Sequence, residues 1–274
     1  MRKLILAGGL LPLFYQVVTA QSPLHSFSVA YAASTAGSRF HADPFSFLLN
    51  PAALAAVPTA GAGLFAERRF NLDALRTLTL AAAVPASYGN TGATIRYYGN
   101  AVFNEIKGSL VFARSLGKKV DVGAQFNYHT LHLSGYGNAA ALTGALGFLI
   151  HVTERFHTGI SVDNPVGGHF GINKEEQLST VYQFETGYDV SDKLFLHTAV
   201  IKESFQPVTV NAALHYWPAS QVVTKLGVSS DTGSWWVSAG YVLASFRVDV
   251  SVSSHPQLGL TPGILLLFNP TKKK

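Results

Sequence analysis

The sequence has no cysteine and a single methionine, and only 13% of its residues are charged. The first absence removes a disulfide framework and is compatible with a disulfide-free envelope protein. The scarcity of charge is more telling, because average globular chains carry roughly 25% charged residues. The third absence concerns long apolar runs. Hydrophobic residues make up 48% of the chain, yet beyond the first twenty residues nothing approaches the roughly 18 apolar residues of a spanning helix. A chain this greasy without membrane helices has one common resolution, a transmembrane β-barrel. A nucleic-acid surface is not expected either: the formal charge is +5, and basic residues are scattered except at Lys272, Lys273 and Lys274.

The N-terminus has the layout of a secretory signal peptide over residues 1–20. Arg2 and Lys3 supply the positive start, Leu4 to Val18 the apolar stretch, and Val18-Thr19-Ala20 a small-residue cleavage site before Gln21. An N-terminal anchor would need a longer apolar run and a charged flank.

From about residue 60 onward a period of two dominates. In "FRVDVSVSS", Phe246, Val248, Val250 and Val252 share one face, while Arg247, Asp249, Ser251 and Ser253 share the other. "VTVNAALHY" sets Val208, Val210, Ala212, Leu214 and Tyr216 against Thr209, Asn211 and His215. "RFHTGISVDN" opposes Phe156, Thr158, Ile160 and Val162 to His157, Gly159, Ser161 and Asp163. About fourteen such segments follow one another, near 60–69, 75–85, 91–99, 105–115, 119–132, 139–152, 156–163, 178–189, 194–203, 207–217, 221–229, 234–244, 246–253 and 261–269. An even count suits a single-chain outer-membrane barrel. Residues 194–203 and 261–269 alternate poorly.

The connections carry a second signal. Those after even-numbered segments are short ("LGKK", "TERF", "VSDK", "PASQ", "AS"). Those after odd-numbered segments are longer and richer in Gly, Asn and Pro ("SGYGN", "NPVGGHFGINKEEQ", "SSDTGS", "SHPQLG"). Short turns at one end and long loops at the other is the asymmetry of outer-membrane barrels, whereas a soluble β-sandwich has no reason to sort its loops. Tyr128, Tyr182, Tyr188, Tyr216, Trp217, Trp235, Tyr241 and Phe268 lie near segment ends, where interfacial aromatic girdles are expected.

The fold class expected is therefore all-β, a transmembrane antiparallel β-barrel over 60–274 preceded by an N-terminal plug over 21–59. About fourteen strands enclose a lumen that side chains alone do not easily fill. The segment "DPFSFLLNPAALA", residues 43–55, is apolar, too short to span, and interrupted by Asn50-Pro51, which favours a turn before a short helix. It is expected to fold into the periplasmic mouth, with Asp43, Pro44, Phe45, Phe47, Asn50, Pro51, Ala52 and Leu54 docked on the inner wall.

With its Asn50-Pro51-Ala52 element ahead of about fourteen strands, the chain resembles the FadL-type outer-membrane barrels. That superfamily includes long-chain fatty-acid transporters and the PorV and PorQ proteins of the type IX secretion system. Ala42, Asp43, Asn50, Pro51, Ala52 and Leu54 match the family's motif, while Pro44 replaces its second acid and the preceding stretch is poor in Gly. Gln21 after the cleavage site is similar to exported proteins of Bacteroidota. The resemblance implies a non-enzymatic accessory of protein export, of the PorV and PorQ kind, whose partners are outer-membrane lipid and secretion components or cargo. The alternative it implies is a transporter or binder of hydrophobic small molecules such as fatty acids.

A third class, an outer-membrane enzyme, is prompted by ten histidines. It requires an inward Ser or Asp within hydrogen-bond reach of a His. No GxSxG, HExxH or paired-His spacing is present, so neither a metal nor a cofactor is expected. His129, His157, Asp163, His215, Arg247 and Asp249 read as polar residues facing a hydrated lumen. His157 and Asp163 lie roughly 20 Å apart along one strand. The longest connection, "DNPVGGHFGINKEEQ", is shaped by Asn164 and Pro165 and tipped by Lys174, Glu175 and Glu176. It is either an ordinary exposed loop or a partner-recognition loop.

Overall fold

A computed structural model describes residues 35–38, 40–170, 176–204, 206–231 and 233–269. The signal-like stretch 1–20, Gln21, Lys174, Glu175 and the lysines at 272–274 lie outside the described residues, and Glu176 is described by its backbone alone.

Fourteen antiparallel strands close into one barrel. They are β1 (Gly61–Arg68), β2 (Arg76–Val84), β3 (Asn90–Gly99), β4 (Phe103–Leu116), β5 (Val120–Leu133), β6 (Gly137–His151), β7 (Phe156–Asp163), β10 (Val181–Ser191), β11 (Leu194–Glu203), β12 (Val208–Ala219), β13 (Val222–Ser229), β14 (Trp235–Leu243), β15 (Phe246–His255) and β16 (Gly259–Phe268). Two short strands, β8 (His169–Phe170) and β9 (Glu176–Gln177), form a separate hairpin within the β7–β10 connection. The barrel closes through β1 and β16, with Ala62 opposite Phe268 and Phe65 opposite Leu265. Closure leaves no sheet edge among these strands, as a sheet in hydrocarbon requires.

The pleat sorts the side chains as the alternation predicts. Along β15, Phe246, Val248 and Val250 are exposed while Arg247, Asp249 and Ser251 are buried inside. Leu78, Ile95, Leu110, Phe126, Leu146, Ile160, Phe184, Leu226 and Ile264 are also exposed, from strands all round the barrel. In water this face would be a liability; against lipid it is the ordinary exterior of a transmembrane barrel. Strands of eight to fifteen residues are long enough for that task, since a tilted transmembrane strand needs roughly 9–11.

Both poorly alternating segments form strands, and the structure shows why their pattern is blurred. In β16, Leu265 and Leu267 point inward while Ile264, Leu266 and Phe268 point outward. In β11, Phe195 and Ala199 point inward opposite Leu196 and Val200. Period two fades where the lumen side is also apolar.

The two ends of the barrel differ less than the sequence suggests. Gly137 and Asn138 belong to β6, His255 to β15 and Gly259 to β16, so two loops shrink to 134–136 and 256–258. The tight turns 192–193, 220–221 and 244–245 and the single long connection after β7 preserve the asymmetry. Seven aromatics expected in girdles are exposed, including Tyr128, Tyr182, Tyr188, Tyr216, Trp235, Tyr241 and Phe268. Trp217 departs from that expectation: its indole stacks on His41 inside, with ring centroids 5.9 Å apart. A register shift between Tyr216 and Ala219 accompanies the change, and neighbouring residues on one strand cannot both face lipid.

Candidate functional site

The site is built where residues 35–57 enter the turn end of the barrel. Asn50 is extended (φ −138°, ψ 114°) and precedes a 3-10 helix, Pro51–Ala56. Its Oδ1 accepts a hydrogen bond from the Ala52 backbone N–H at 3.0 Å. Asn as the cap and Pro at the first helical position are the residue types such an end favours, because Pro has no N–H to leave unpaired. The turn lies directly on the wall. A Cβ placed at Gly123 of β5 would sit 2.3 Å from the Pro51 carbonyl carbon, and one at Gly147 of β6 would sit 2.0 Å from Asn50 Oδ1. Only glycine permits backbone to approach wall this closely.

One side of the plug is held by apolar contact. Phe45, fully buried, packs with Phe65, Ala81, Trp236, Leu265 and Leu267. Phe47 and Leu54 form a second cluster with Val57, Ala83, Val111 and Ala113. Ala52 lies with Ala36, Ala53 and Leu149, and Pro44 is buried beside Gly61. Burying a phenylalanine contributes about 1.5–3 kcal/mol. Asn90 Nδ2 then fastens the helix exit, donating to the carbonyls of Leu54 and Val57 at 2.8 and 2.9 Å.

The other side is polar. Asn50 Nδ2 donates to Glu185 Oε1 at 2.7 Å, and Ser161 Oγ donates to the Leu49 carbonyl at 3.1 Å. Glu185 Oε2 also meets Gln183 Nε2 and His197 Nε2, at 3.1 and 3.2 Å. Asp43 accepts from the Phe45 N–H and from Arg247, whose second contact is Asp249 at 3.0 Å. Lys225 stands 3.8 Å from Asp249. His215 is fully buried nearby. Burial lowers the pKa of His41 below the ordinary imidazole value, opposed by the charge of Asp189 and reinforced by Arg247.

A third group runs along β5, β6, β7 and β10. His151 Nε2 contacts Asp121 at 2.7 Å, His151 Nδ1 faces His157 Nδ1 at 2.8 Å, and His157 Nε2 contacts Asp189 at 3.0 Å. Ser38 Oγ donates to the other oxygen of Asp189 at 2.8 Å.

Toward the loop end, Asp163 accepts from Lys107 Nζ at 2.8 Å and Asn127 Nδ2 at 3.1 Å. His129 Nε2 contacts Thr143 Oγ1 at 3.0 Å. Asn164 is buried, donates to the carbonyls of Leu178 and Ser179 and accepts from the Gly168 N–H. Beside those bonds, Phe170 and Leu178 pack on Ala141 inside the mouth. Pro165 remains exposed.

This arrangement can be set beside known structures. CymD, a monoaromatic hydrocarbon channel, is similar with a TM-score of 0.63 at 12% identity, over 88% of this chain and 96% of that one. The Ralstonia pickettii toluene transporter TbuX gives 0.61 at 12% identity, over 87% and 96%. A Pseudomonas aeruginosa FadL homologue gives 0.56 at 12%, over 88% and 96%. The barrel shares its fold with these proteins. No family model matches the chain, and no curated protein matches it. At such identities the likeness is one of fold.

Ser38 and the two histidines nearest it do not form a Ser–His pair. Ser38 gives its hydrogen bond to a carboxylate, and both ring nitrogens of His151 and His157 are occupied by each other and by Asp121 and Asp189. In a Ser–His pair the serine hydroxyl donates to an imidazole nitrogen that acts as its base. Among the described residues no cluster of His, Cys, Asp and Glu could hold a metal.

The sequence reading had missed Glu185, Asp121, His151, Asp189, Asn90, Gly123 and Gly147. The two glycines carry a legible signal, since glycine in a strand interior marks close backbone approach. The acids do not: each sits on an inner face that alternation marks only as polar.

Proposed function

We propose that this protein is an outer-membrane channel or binder for hydrophobic small molecules, a class that takes in monoaromatic hydrocarbons and fatty acids. The observation that carries the reading is the apolar inner wall at the plugged end. Phe65, Ala81, Trp236, Leu265 and Leu267 face the lumen, where a water-filled pore would carry polar groups. Phe45 of the plug occupies that slot, so its departure would expose a surface suited to an apolar molecule and unsuited to water. The structural neighbours, among them a monoaromatic hydrocarbon channel and a toluene transporter, support the same substrate class. The reading also requires export to a bacterial outer membrane, which the fold and its lipid-facing exterior support.

The finer placement beside PorV and PorQ, as a partner in type IX-like export, rests on Asn50-Pro51-Ala52 and the strand number. The connection expected to meet a partner turns Phe170 and Leu178 inward, which lends that role no support.

Uptake tests the proposal. The chain is expressed in a Gram-negative host lacking its own channel for hydrophobic compounds, and entry of labelled toluene and of a long-chain fatty acid is measured. A several-fold rise for at least one, without a rise for a sugar of similar mass, is expected. Equal uptake with and without the chain would overturn it.

A further inference from the structure

We propose that Asp121, His151, His157 and Asp189 form a buried proton-binding chain that ties the start of the N-terminal segment to the barrel wall when it is loaded. The chain has four members and three links, at 2.7, 2.8 and 3.0 Å. Each is a hydrogen-bond distance, and each needs one proton between its two atoms, wherever that proton resides. Two neutral imidazoles beside two carboxylates supply only two. The geometry therefore calls for one more, shared between the facing Nδ1 atoms of His151 and His157.

Burial does not forbid this charge. All four groups are nearly inaccessible, and an isolated imidazolium there would be costly. Here the added proton cuts the formal charge of the four from two negative to one. Removing it leaves one of the three links with no proton between its two atoms, whichever tautomers the rings adopt, and that link must open.

The chain touches the plug directly. Asp189 Oδ1 accepts from Ser38, while its Oδ2 faces His157. A Cβ at Gly37 would lie 3.8 Å from the Cβ of His157, so this part of the segment passes beside β7 at the base of that side chain. When a link of the chain opens, the carboxylate that His157 shares with Ser38 loses its fixed position. Loss of the proton therefore loosens residues 35–38. Other ionisable groups face this region. His41 of the segment senses Asp189, and Glu185 of β10, with His197 of β11, lies along the same wall. His41 acts in the opposite sense, because it resists protonation where it is seated. This inference does not depend on what passes through the barrel.

The full chain, labelled with nitrogen-15 in its imidazoles and held in detergent micelles, gives the test. At about pH 5.5 the facing rings are expected to show three protonated nitrogens out of four and a scalar coupling between the two Nδ1 atoms. At about pH 9 only two of the four nitrogens are expected to be protonated. Two protonated nitrogens at both values, or no coupling at pH 5.5, would overturn the proton count. The link to the plug is read separately in a His41→Phe background, which silences the opposing group. Protease cleavage within 35–59 is expected to be several-fold slower at pH 5.5 than at pH 9, after correction for the protease's own profile. Equal rates would overturn the coupling while leaving the proton count standing.

Discussion

Asn50 and Glu185, 135 positions apart in the chain, meet at 2.7 Å inside the barrel. The same side chain caps Ala52 through its other amide atom. One residue thus shapes the plug and anchors it, with the carbonyls of Phe148 and Ile160 as further acceptors at 3.3 and 3.5 Å. Replacing Asn50 with Ala leaves Glu185 short of a buried donor. Losing such a bond costs about 1–3 kcal/mol, so cleavage of residues 35–59 by added protease should rise roughly tenfold. The barrel itself should retain its heat-dependent gel mobility. An unchanged cleavage rate would show that Asn50 does not hold the segment.

Gly123 tests the close approach. A Val there suits a strand but drives its side chain into the Pro51 and Ala52 backbone. The barrel should still insert, while the plug is expelled and ion conductance across a planar bilayer rises several-fold. Gly108→Val is the control, since a Cβ there meets nothing within 4 Å. Equal conductance in both variants would contradict the seating of Pro51 on β5.

Leu110 lies mid-strand on β4 and is 66% exposed. If that face meets hydrocarbon, Leu110→Lys should destabilise the barrel in lipid vesicles by about 2–4 kcal/mol, as a lysine near the bilayer midplane does. The shift of the denaturant midpoint measures it. A face in water would show almost no change.

His41 gives a pH prediction of definite sign. Its pKa is lowered in the seated state, so between the ordinary imidazole value and the lowered one the released segment binds more protons than the seated one. Seating through this group is then strongest above that window and weakens as pH falls through it. His41→Phe keeps a ring against Trp217 and removes the titration. At pH 5 its segment should resist protease better than the wild type's, and above pH 8 the two should agree. A wild type equally or better protected at pH 5 would reverse the sign.

The barrel was legible in the sequence because one face of each strand meets lipid, and a period of two records that contact in every strand. Legibility dropped where a second apolar environment intruded. Leu265, Leu267 and Phe195 are inward and apolar, which blurred the alternation of β16 and β11. The plug was legible from Asn50-Pro51, whose local chemistry dictates a turn. Its anchors were not, because Glu185, Asp189 and Asn90 come from strands whose closeness to residue 50 exists only once the barrel has closed. The surroundings of Asn164 were equally hidden. Asn-Pro followed by Gly-Gly signals a turn, but the bonds of the Asn164 side chain to Leu178 and Ser179 join positions fourteen and fifteen residues away.

The lack of native cysteine allows a direct measurement of whether the N-terminal segment occupies the lumen of a closed, membrane-embedded barrel. Cysteines introduced together through Ser38→Cys and Asp189→Cys replace side chains whose oxygens lie 2.8 Å apart. Mild oxidation of intact outer membranes should join them in most molecules, and cleavage between the two sites should then fail to release the segment until a reductant is added. A barrel that inserts normally yet forms no such bond would contradict the seated plug.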